Sequence, residues 1–397
     1  MTDAPTAQPR RLVWAGLGLS WLAAVNCRAP FVATGALLPL VIPALRLSSV
    51  TASLLTALPL LVLAGLSVPG GLLGDRVGPR VVLLGTQLLI AVGGGLRGLA
   101  HGPVLFLVGV GVLGAGIGVA QPALAQAAKL LAAGRETLAT TVYSNGLVLG
   151  GLLGSALSAP LLLPWAGGSW RGVFGLWAIL GLVAGGGWLL LPLPHARRTP
   201  PVHVQRAEPG AWSMPGLWPL VVVFAAESAI FYGLVTWLPD YYVARGWTVA
   251  QAAVPVSALS AGSVVGVLVT PLLARRLAGF RLPLLLTGLV DLAAQMGLLA
   301  LPGIGWLWAG IVGAGTAVAL TLGMAAPAVL TPAHRTGRVS GLILAIGYGV
   351  AILGPVGIGA LHQWVGTFAA GFWLLALLAV VWVVAAWRLP PMASSGT

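Results

Sequence analysis

Apolar stretches of about 20 residues follow one another along almost the whole chain, with only short polar turns between them. As helices, such stretches are long enough to cross about 30 Å of hydrocarbon. The pattern therefore predicts an all-α, polytopic membrane protein with twelve transmembrane helices. The predicted spans are 12–40, 50–73, 81–100, 103–128, 138–163, 171–193, 216–239, 249–273, 282–301, 304–330, 338–361 and 365–387.

Composition supports lipid as the main solvent of the chain. Hydrophobic residues make up 58% of the 397 positions and charged residues only 7%, which excludes an ordinary soluble domain. The single cysteine, Cys27, excludes an internal disulfide and a cysteine-based metal site. The first apolar run shows no cleavage motif, so we predict a retained first helix and not a signal peptide.

The basic residues give the predicted orientation. The net charge is +13, but these residues lie singly or in pairs between apolar runs, unlike a nucleic-acid-binding patch. With cytoplasmic termini, the outside carries only Arg46, Arg97, Arg171 and Arg245, which satisfies the positive-inside rule. The inside then carries Arg10, Arg11, Arg76, Arg80, Lys129, Arg135, Arg197, Arg198, Arg206, Arg275, Arg276, Arg281, Arg335, Arg338 and Arg388.

The two halves of the chain resemble each other at an offset near 200 residues. Three registers match: Leu38-Pro39 with Leu238-Pro239, Asp75-Arg76 with Arg275-Arg276, and Gly114-Ala115-Gly116 with Gly313-Ala314-Gly315. Many secondary transporters are built from such repeats. We predict an N-terminal six-helix bundle over 1–193, a cytoplasmic linker over 194–215 and a C-terminal six-helix bundle over 216–397.

The turn between the second and third predicted spans carries the sharpest local motif, Gly71-Leu-Leu-Gly-Asp75-Arg76-Val-Gly78-Pro-Arg80. It resembles the G-x-L-x-D-R-x-G-x-R signature that the major facilitator superfamily carries in the same loop. The resemblance implies two pseudo-symmetric bundles and a cytoplasmic gate formed by Gly71, Asp75, Arg76, Gly78 and Arg80. The alternative is an ordinary charged turn.

Short motifs in other spans narrow the resemblance to the cyanate and 2-nitroimidazole transporter family within that superfamily. Two positions depart from the family: Cys-Arg-Ala-Pro replaces Leu-Arg-Pro-Ala, and Glu227 stands where a neutral glutamine is expected. The resemblance implies transport of small anions such as cyanate, or of compact polar molecules such as nitroimidazoles. The motifs are Asn26-Cys27-Arg28-Ala29-Pro30, Gly35-Ala36-Leu37-Leu38, Leu55-Thr-Ala-Leu-Pro59, Gly114-Ala-Gly-Ile-Gly118, Phe231-Tyr232 with Trp237-Leu-Pro239, and Gly354-Pro355 with Gly359-Ala-Leu-His362.

Other glycine patterns point to packing. Gly109-Val-Gly111-Val-Leu-Gly114 matches a dinucleotide-binding motif, but no strand precedes it and it lies within a span, so we assign it to helix packing. The only lysine, Lys129, lacks a Walker A context. In the fifth span Gly151 stands where drug–proton antiporters of the superfamily carry a proline, which gives drug efflux little support.

Three charged residues lie well inside predicted spans: Arg28, Glu227 and Asp291. A buried charge is costly without water, a partner or a proton, so each is a candidate functional residue. Arg28 corresponds to Ser228 at the repeat offset, and we therefore expect Arg28 and Glu227 to meet or to share a ligand. Asp291 is expected to lie outside the central cavity and to partner a neighbouring helix.

Arg28 is the predicted substrate-binding residue, because its planar fork suits anionic, nitro or carbonyl oxygens. A structural ion pair with Glu227 is the alternative. We expect Glu227 to carry a proton, since burial favours its neutral form and Arg28 its charged form. Further polar candidates for the cavity are Asn26, Gln121, Tyr143, Asn145, Tyr232 and Tyr348. For each of these residues alone helix packing is the alternative, and for Asn26 the alternative is satisfying the backbone that Pro30 distorts.

We therefore predict a secondary transporter of the inner membrane, with cytoplasmic termini, that takes up its substrate with protons by alternating access. Its expected partners are a small-molecule substrate, protons and the lipid bilayer; no cofactor, metal, nucleic acid or second subunit is expected. Drug or metabolite efflux is the nearest alternative, followed by a channel or passive receptor. No catalytic constellation is visible, so an enzyme is not predicted.

Overall fold

The structure is a computed structural model that describes residues 10–131, 136–191, 216–277, 280–330, 343 and 345–390. These residues contain no strand and form 12 helices long and apolar enough to cross a membrane, which confirms the predicted all-α membrane fold. The helices are α1 Arg10–Leu45, α2 Ser49–Val77, α3 Pro79–Gly98, α4 Pro103–Leu131, α5 Glu136–Leu157, α6 Trp170–Leu190, α7 Leu217–Val243, α8 Val249–Arg276, α9 Arg281–Ala300, α10 Gly305–Leu330, α11 Ala345–Val365 and α12 Phe368–Trp387.

Local sequence explains where several helices begin and end. The Ser48 hydroxyl caps α2 by accepting from the Thr51 N–H, and Thr248 forms a capping box with Gln251 at the start of α8. Gly366 adopts φ +77° between α11 and α12, a conformation that favours glycine. After α5 the chain continues through a π-helical turn, Ser158–Leu162, which contains a proline.

Helix packing divides the chain into two similar bundles. In the first, α1 packs on α5 and α6, α3 on α4 and α6, and α2 on α4. In the second, the corresponding helices make the corresponding contacts: α7 packs on α11 and α12, α9 on α10 and α12, and α8 on α10. The predicted linker over 194–215 lies outside the described residues, so the domain boundaries stay a prediction.

The matching glycines of the two halves explain this similarity at atomic level. A β-carbon at Gly114 of α4 would meet Pro59 of α2, and one at Gly313 of α10 would meet Leu259 of α8. Gly116 approaches α3, and Gly315 approaches α9. The glycines therefore allow close helix contact, as small residues do in membranes. The G-x-G-x-x-G pattern of α4 serves the same packing, since Gly109 lies against the backbone of Gly93 in α3.

The two bundles meet through α1 with α7, α2 with α11, and α5 with α8. We call the side where α1 begins and α12 ends the terminal face, and the opposite side the distal face. Four hydrogen bonds between described residues cross this interface. They join Arg28 to Tyr232, Ser49 to His362, Thr56 to Thr236 and Ser155 to Ser260, all at the middle of the spans or toward the distal face. The described contacts thus close the distal side.

The motif turn joins α2 to α3 on the terminal face. Gly78 adopts φ +86°, and Pro79 begins α3, so the chain reverses in one residue. Arg80 donates to the carbonyl oxygens of Trp188 (3.0 Å) and Leu189 (2.6 Å), near the end of α6. This arginine therefore ties the turn to its own bundle. The side chain of Asp75, the predicted acid of the gate, lies outside the described residues.

Close packing of α5 against α1 predicts a position-specific loss of stability. A β-carbon at Gly150 would lie 2.6 Å from the Val25 carbonyl oxygen and 2.9 Å from its Cα, whereas one at Gly151 would lie 3.7 Å from its nearest neighbour. Gly150→Ala is therefore expected to lower the free energy of unfolding by about 1–3 kcal/mol. Thermal melting in detergent measures this, with Gly151→Ala as control. Equal melting temperatures for the two variants would contradict it.

Candidate substrate site

Arg28 lies at the centre of the interface between the bundles. It is near the middle of α1, where its guanidinium Nη1 donates to the Tyr232 hydroxyl of α7 at 2.8 Å. The two residues are 204 positions apart, so only the docking of the bundles brings them together. Arg28 is half-buried, and it lines a narrow cleft of the N-terminal bundle.

Aromatic rings surround the Arg28–Tyr232 contact. The Arg28 guanidinium carbon is 5.5 Å from the centroid of the Tyr232 ring. That ring makes edge-to-face contacts with Phe31, Phe231 and Tyr348, at centroid distances of 5.8, 5.4 and 6.4 Å. Such rings hold one another in fixed orientations and offer flat surfaces beside a cation. The arrangement suits a compact solute with electron-rich oxygens.

Glu227 lies on α7, five residues before Tyr232, and is only 2% exposed. Its Oε1 accepts a 2.6 Å hydrogen bond from the hydroxyl of the adjacent Ser228. Arg28 and Glu227 thus have different hydrogen-bond partners. Five residues of α7 span about 7.5 Å along the helix axis, so the carboxyl group lies on the helix that meets Arg28 without being the group that orients it.

A small cleft opens beside Arg28 in the N-terminal bundle. Its volume is about 10 Å³, and Arg28 supplies the only charged side chain among the described residues that line it. That volume is enough for about one water molecule, so the cleft would have to widen to admit a solute. The lining residues are Cys27, Arg28, Phe31, Pro59, Leu60, Leu63 and Ile117.

The structure separates the other predicted polar residues. Tyr348 lies beside Tyr232, at the site. Asn26 is 0% exposed, and its amide donates to Gln87 of α3 at 2.8 Å, behind Arg28. Asn145 is exposed just before the middle of α5, where its Oδ1 accepts from the Trp21 indole at 3.0 Å.

Gln121 and Tyr143 are both half-buried, nearer the terminal face than Arg28. Gln121 is four residues beyond Ile117, the α4 residue that lines the cleft. Tyr143 packs against two small apolar clusters of the N-terminal bundle. The geometry thus gathers Arg28, Tyr232 and Tyr348, and leaves Gln121 and Tyr143 outside this group.

Asp291 is 0% exposed in α9, and its Oδ2 accepts a 2.5 Å hydrogen bond from Gln295. The expected partner on a neighbouring helix is therefore wrong: the partner lies one turn further along the same helix. Its other oxygen, Oδ1, has no hydrogen-bond partner among the described residues. Because α9 packs behind α10 and α12, Asp291 lies away from the Arg28–Tyr232 contact.

The predicted location of Arg97 is wrong. It was counted among the outside loops, but it lies in the last turn of α3 and is 0% exposed. Its guanidinium stacks on Phe174 of α6, 4.4 Å from the ring centroid. The sequence already indicated a position inside the membrane, because Arg97 falls within the predicted span 81–100.

The sequence profile of the Major Facilitator Superfamily matches residues 19–312, about three quarters of the chain. The chain belongs to the major facilitator superfamily. This match confirms the fold and the transporter class that the turn motif predicted. It covers the N-terminal bundle and the first part of the C-terminal one, including Arg28 and Glu227.

Within the superfamily, the chain is similar to several named transporters. The chain is 28% identical to the cyanate transport protein of Escherichia coli over 382 residues, with 94% and 96% of the two chains covered. It is 27% identical to the 2-nitroimidazole transporter of Escherichia coli, covering 90% and 89%. It is 26% identical to the gentisate transporter of Corynebacterium glutamicum, covering 74% and 69%. The resemblance to the cyanate and 2-nitroimidazole family is thereby confirmed.

Solved structures support the fold. A bacterial homologue of the human lysosomal transporter Spinster, in an inward-facing and unoccupied conformation, superposes with a TM-score of 0.80 at 16% identity, covering 96% and 97%. A D-xylose–proton symporter gives 0.78 at 14% identity, covering 96% and 98%. At these identities the likeness concerns the fold alone.

Proposed function

We propose that the protein takes up a small anion or a compact polar solute, of the size of cyanate or a nitroimidazole, together with protons. The observation that carries this proposal is the half-buried Arg28 fork, which meets Tyr232 at the bundle interface beside a small cleft. A permanently charged, planar donor selects carboxylate-like, nitro or carbonyl oxygens. The relatives named for cyanate, 2-nitroimidazole and gentisate transport support the same substrate class.

Charge balance suggests how protons enter the cycle. When no substrate is bound, the positive charge of Arg28 can stabilise the charged form of Glu227 against the cost of burying that carboxylate. An anion that binds the guanidinium neutralises the positive charge of Arg28. The buried carboxylate of Glu227 then needs a proton to become neutral. Anion and proton would therefore load together.

Alternating access supplies the transport cycle in this proposal. Major facilitator halves rock around a central site near the membrane midplane. The present contacts close the distal face, so the site would exchange with the terminal side in this state. The distribution of basic residues favours a cytoplasmic terminal face in the inner membrane. The chain would work as a monomer, with one site between its two bundles.

The test is uptake by purified protein in liposomes with an imposed pH gradient, acidic outside. Cyanate, 2-nitroimidazole and gentisate serve as the labelled probes. Accumulation of cyanate or gentisate that stops when a protonophore removes the gradient supports proton-coupled anion uptake. Extrusion of a probe would favour efflux, and non-saturable flux without accumulation would favour a channel. Thermal shift with the same probes reports binding independently.

The distal contact between α5 and α8 gives a direct test of the cycle. Ser155 and Ser260 lie with their hydroxyl oxygens 3.4 Å apart across the interface. In a Cys27→Ser background, Ser155→Cys with Ser260→Cys is expected to form a disulfide under oxidation, holding the distal face closed. Uptake should then fall to the level of empty liposomes and recover with reductant. Each single-cysteine variant is the control, and undiminished uptake by fully cross-linked protein would contradict the cycle.

A further inference from the structure

Helix α3 presents two buried polar side chains to α1, one on each side of Arg28 along the helix. On the terminal side, Gln87 accepts a 2.8 Å hydrogen bond from Asn26. On the distal side, the Nη1 of Arg97 donates to the Pro30 carbonyl at 3.0 Å and to the Thr34 hydroxyl at 2.9 Å. Both α3 side chains are 0% exposed. These contacts fasten α1 to α3 at two points.

The fastened positions lie on the face of α1 opposite Arg28. At about 100° per residue, Asn26, Pro30 and Thr34 lie roughly 160°, 200° and 240° around the helix from Arg28. Arg28 and Phe31 line the cleft, whereas Pro30 and Thr34 are buried against α3. A rotation of α1 that re-aimed Arg28 would therefore break the bonds to α3.

Helix packing alone does not require a buried arginine at position 97. Its described partners are the oxygens of Pro30, Thr34 and Gly93 and the ring of Phe174, none of which carries a negative charge. Its Nη2 has no hydrogen-bond partner among the described residues. Burying an arginine without an acid is costly, and such residues mark functional sites in membranes.

We propose that Gln87 and Arg97 are positioning residues that hold α1 on both sides of Arg28 and fix the direction of its guanidinium in the cleft. This role rests on the proposed function, because it requires Arg28 to hold substrate. Neither residue touches substrate itself. Their bonds set the helix rotation, and a misplaced binding group loses much of its contribution.

Labelling of the lone cysteine can detect a rotation of α1 when no ligand is bound. Cys27 is the only cysteine of the chain, is 0% exposed, lines the cleft beside Arg28 and lies 4.0 Å from the Gln87 amide nitrogen. In detergent, Arg97→Gln and Gln87→Leu are each expected to raise the rate of its labelling by N-ethylmaleimide about tenfold. Arg171→Gln is the matched control, since Arg171 also bonds a carbonyl, that of Ala100 at 2.9 Å, and stacks on Trp170, away from Arg28.

A second cysteine distinguishes a rotation of α1 from a general loosening of the protein. In a Cys27→Ser background, Ala319→Cys places the thiol in α10, where residue 319 is 0% exposed. Arg97→Gln should leave the labelling of this cysteine unchanged. Faster labelling at both positions, or unchanged labelling at Cys27, would overturn the positioning role.

Transport kinetics complete the test. Arg97→Gln should raise KM for cyanate or gentisate about tenfold with Vmax within about twofold, and Arg97→Lys should restore KM to within about threefold. A fall in Vmax alone would show a merely structural role and overturn the assignment. If the wild type transports neither probe, the proposed substrate class fails, while Cys27 labelling still decides whether α3 sets the rotation of α1.

Discussion

Arg28→Ala is expected to weaken binding of cyanate and gentisate by at least about 100-fold, equivalent to about 2.7 kcal/mol. The substitution removes the guanidinium that lies between the bundles, bonded to Tyr232 at 2.8 Å. Arg28→Lys should lie between wild type and alanine, because an ammonium keeps the charge but not the planar fork. Binding is measured by the ligand-induced rise in melting temperature and by equilibrium dialysis.

Two controls make this result specific. Arg245→Ala removes another arginine that lies over a tyrosine ring, that of Tyr241, but in the exposed turn after α7 at the distal face. It should leave binding unchanged. The double variant Arg28→Ala with Glu227→Gln removes the buried carboxylate that the single variant leaves without its cation. If the double variant melts like the wild type and still binds both anions, Arg28 is a structural link between the bundles and not the binding residue.

Glu227→Gln is expected to abolish accumulation of cyanate or gentisate against a gradient while leaving binding within about threefold of wild type. Glutamine keeps the size and the hydrogen bond with Ser228 but carries no exchangeable proton of this kind. In wild type, uptake should rise as the external pH falls, because in the proposed cycle the anion loads together with a proton on Glu227. In the variant, uptake should depend little on pH and should only equilibrate the probe.

Asp291→Asn is the matched control for the proton role. Asp291 is also a buried acid of the C-terminal bundle, but it is bonded to Gln295 in α9, behind the helices that meet at the interface. Its replacement should preserve the pH profile of uptake. An unchanged profile in Glu227→Gln would eliminate the proton role of that residue, and loss of pH dependence in Asp291→Asn alone would transfer the role to Asp291.

Arg28 and Glu227 show how much of the candidate site could be predicted from the sequence. The repeat offset placed the two residues at the same level of α1 and α7, and the structure packs these two helices against each other at the bundle interface. The sequence did not show that Tyr232 is the hydrogen-bond partner of Arg28. It also grouped Asn26 with the substrate residues, although the side chain of Asn26 points to Gln87 on the far side of α1.

The sequence by itself determined the number of spans, the turn between α2 and α3 and the repeat of glycines in α4 and α10. Lipid requires apolar helices of a minimum length, and reversals or close contacts require residues without a side chain, so these features are local. Only the tertiary structure decided which polar side chains share a site. Arg28 and Tyr232 are 204 residues apart, and Arg97 is buried in the last turn of α3. Their partners depend on the rotation and docking of whole helices, which hydropathy does not encode.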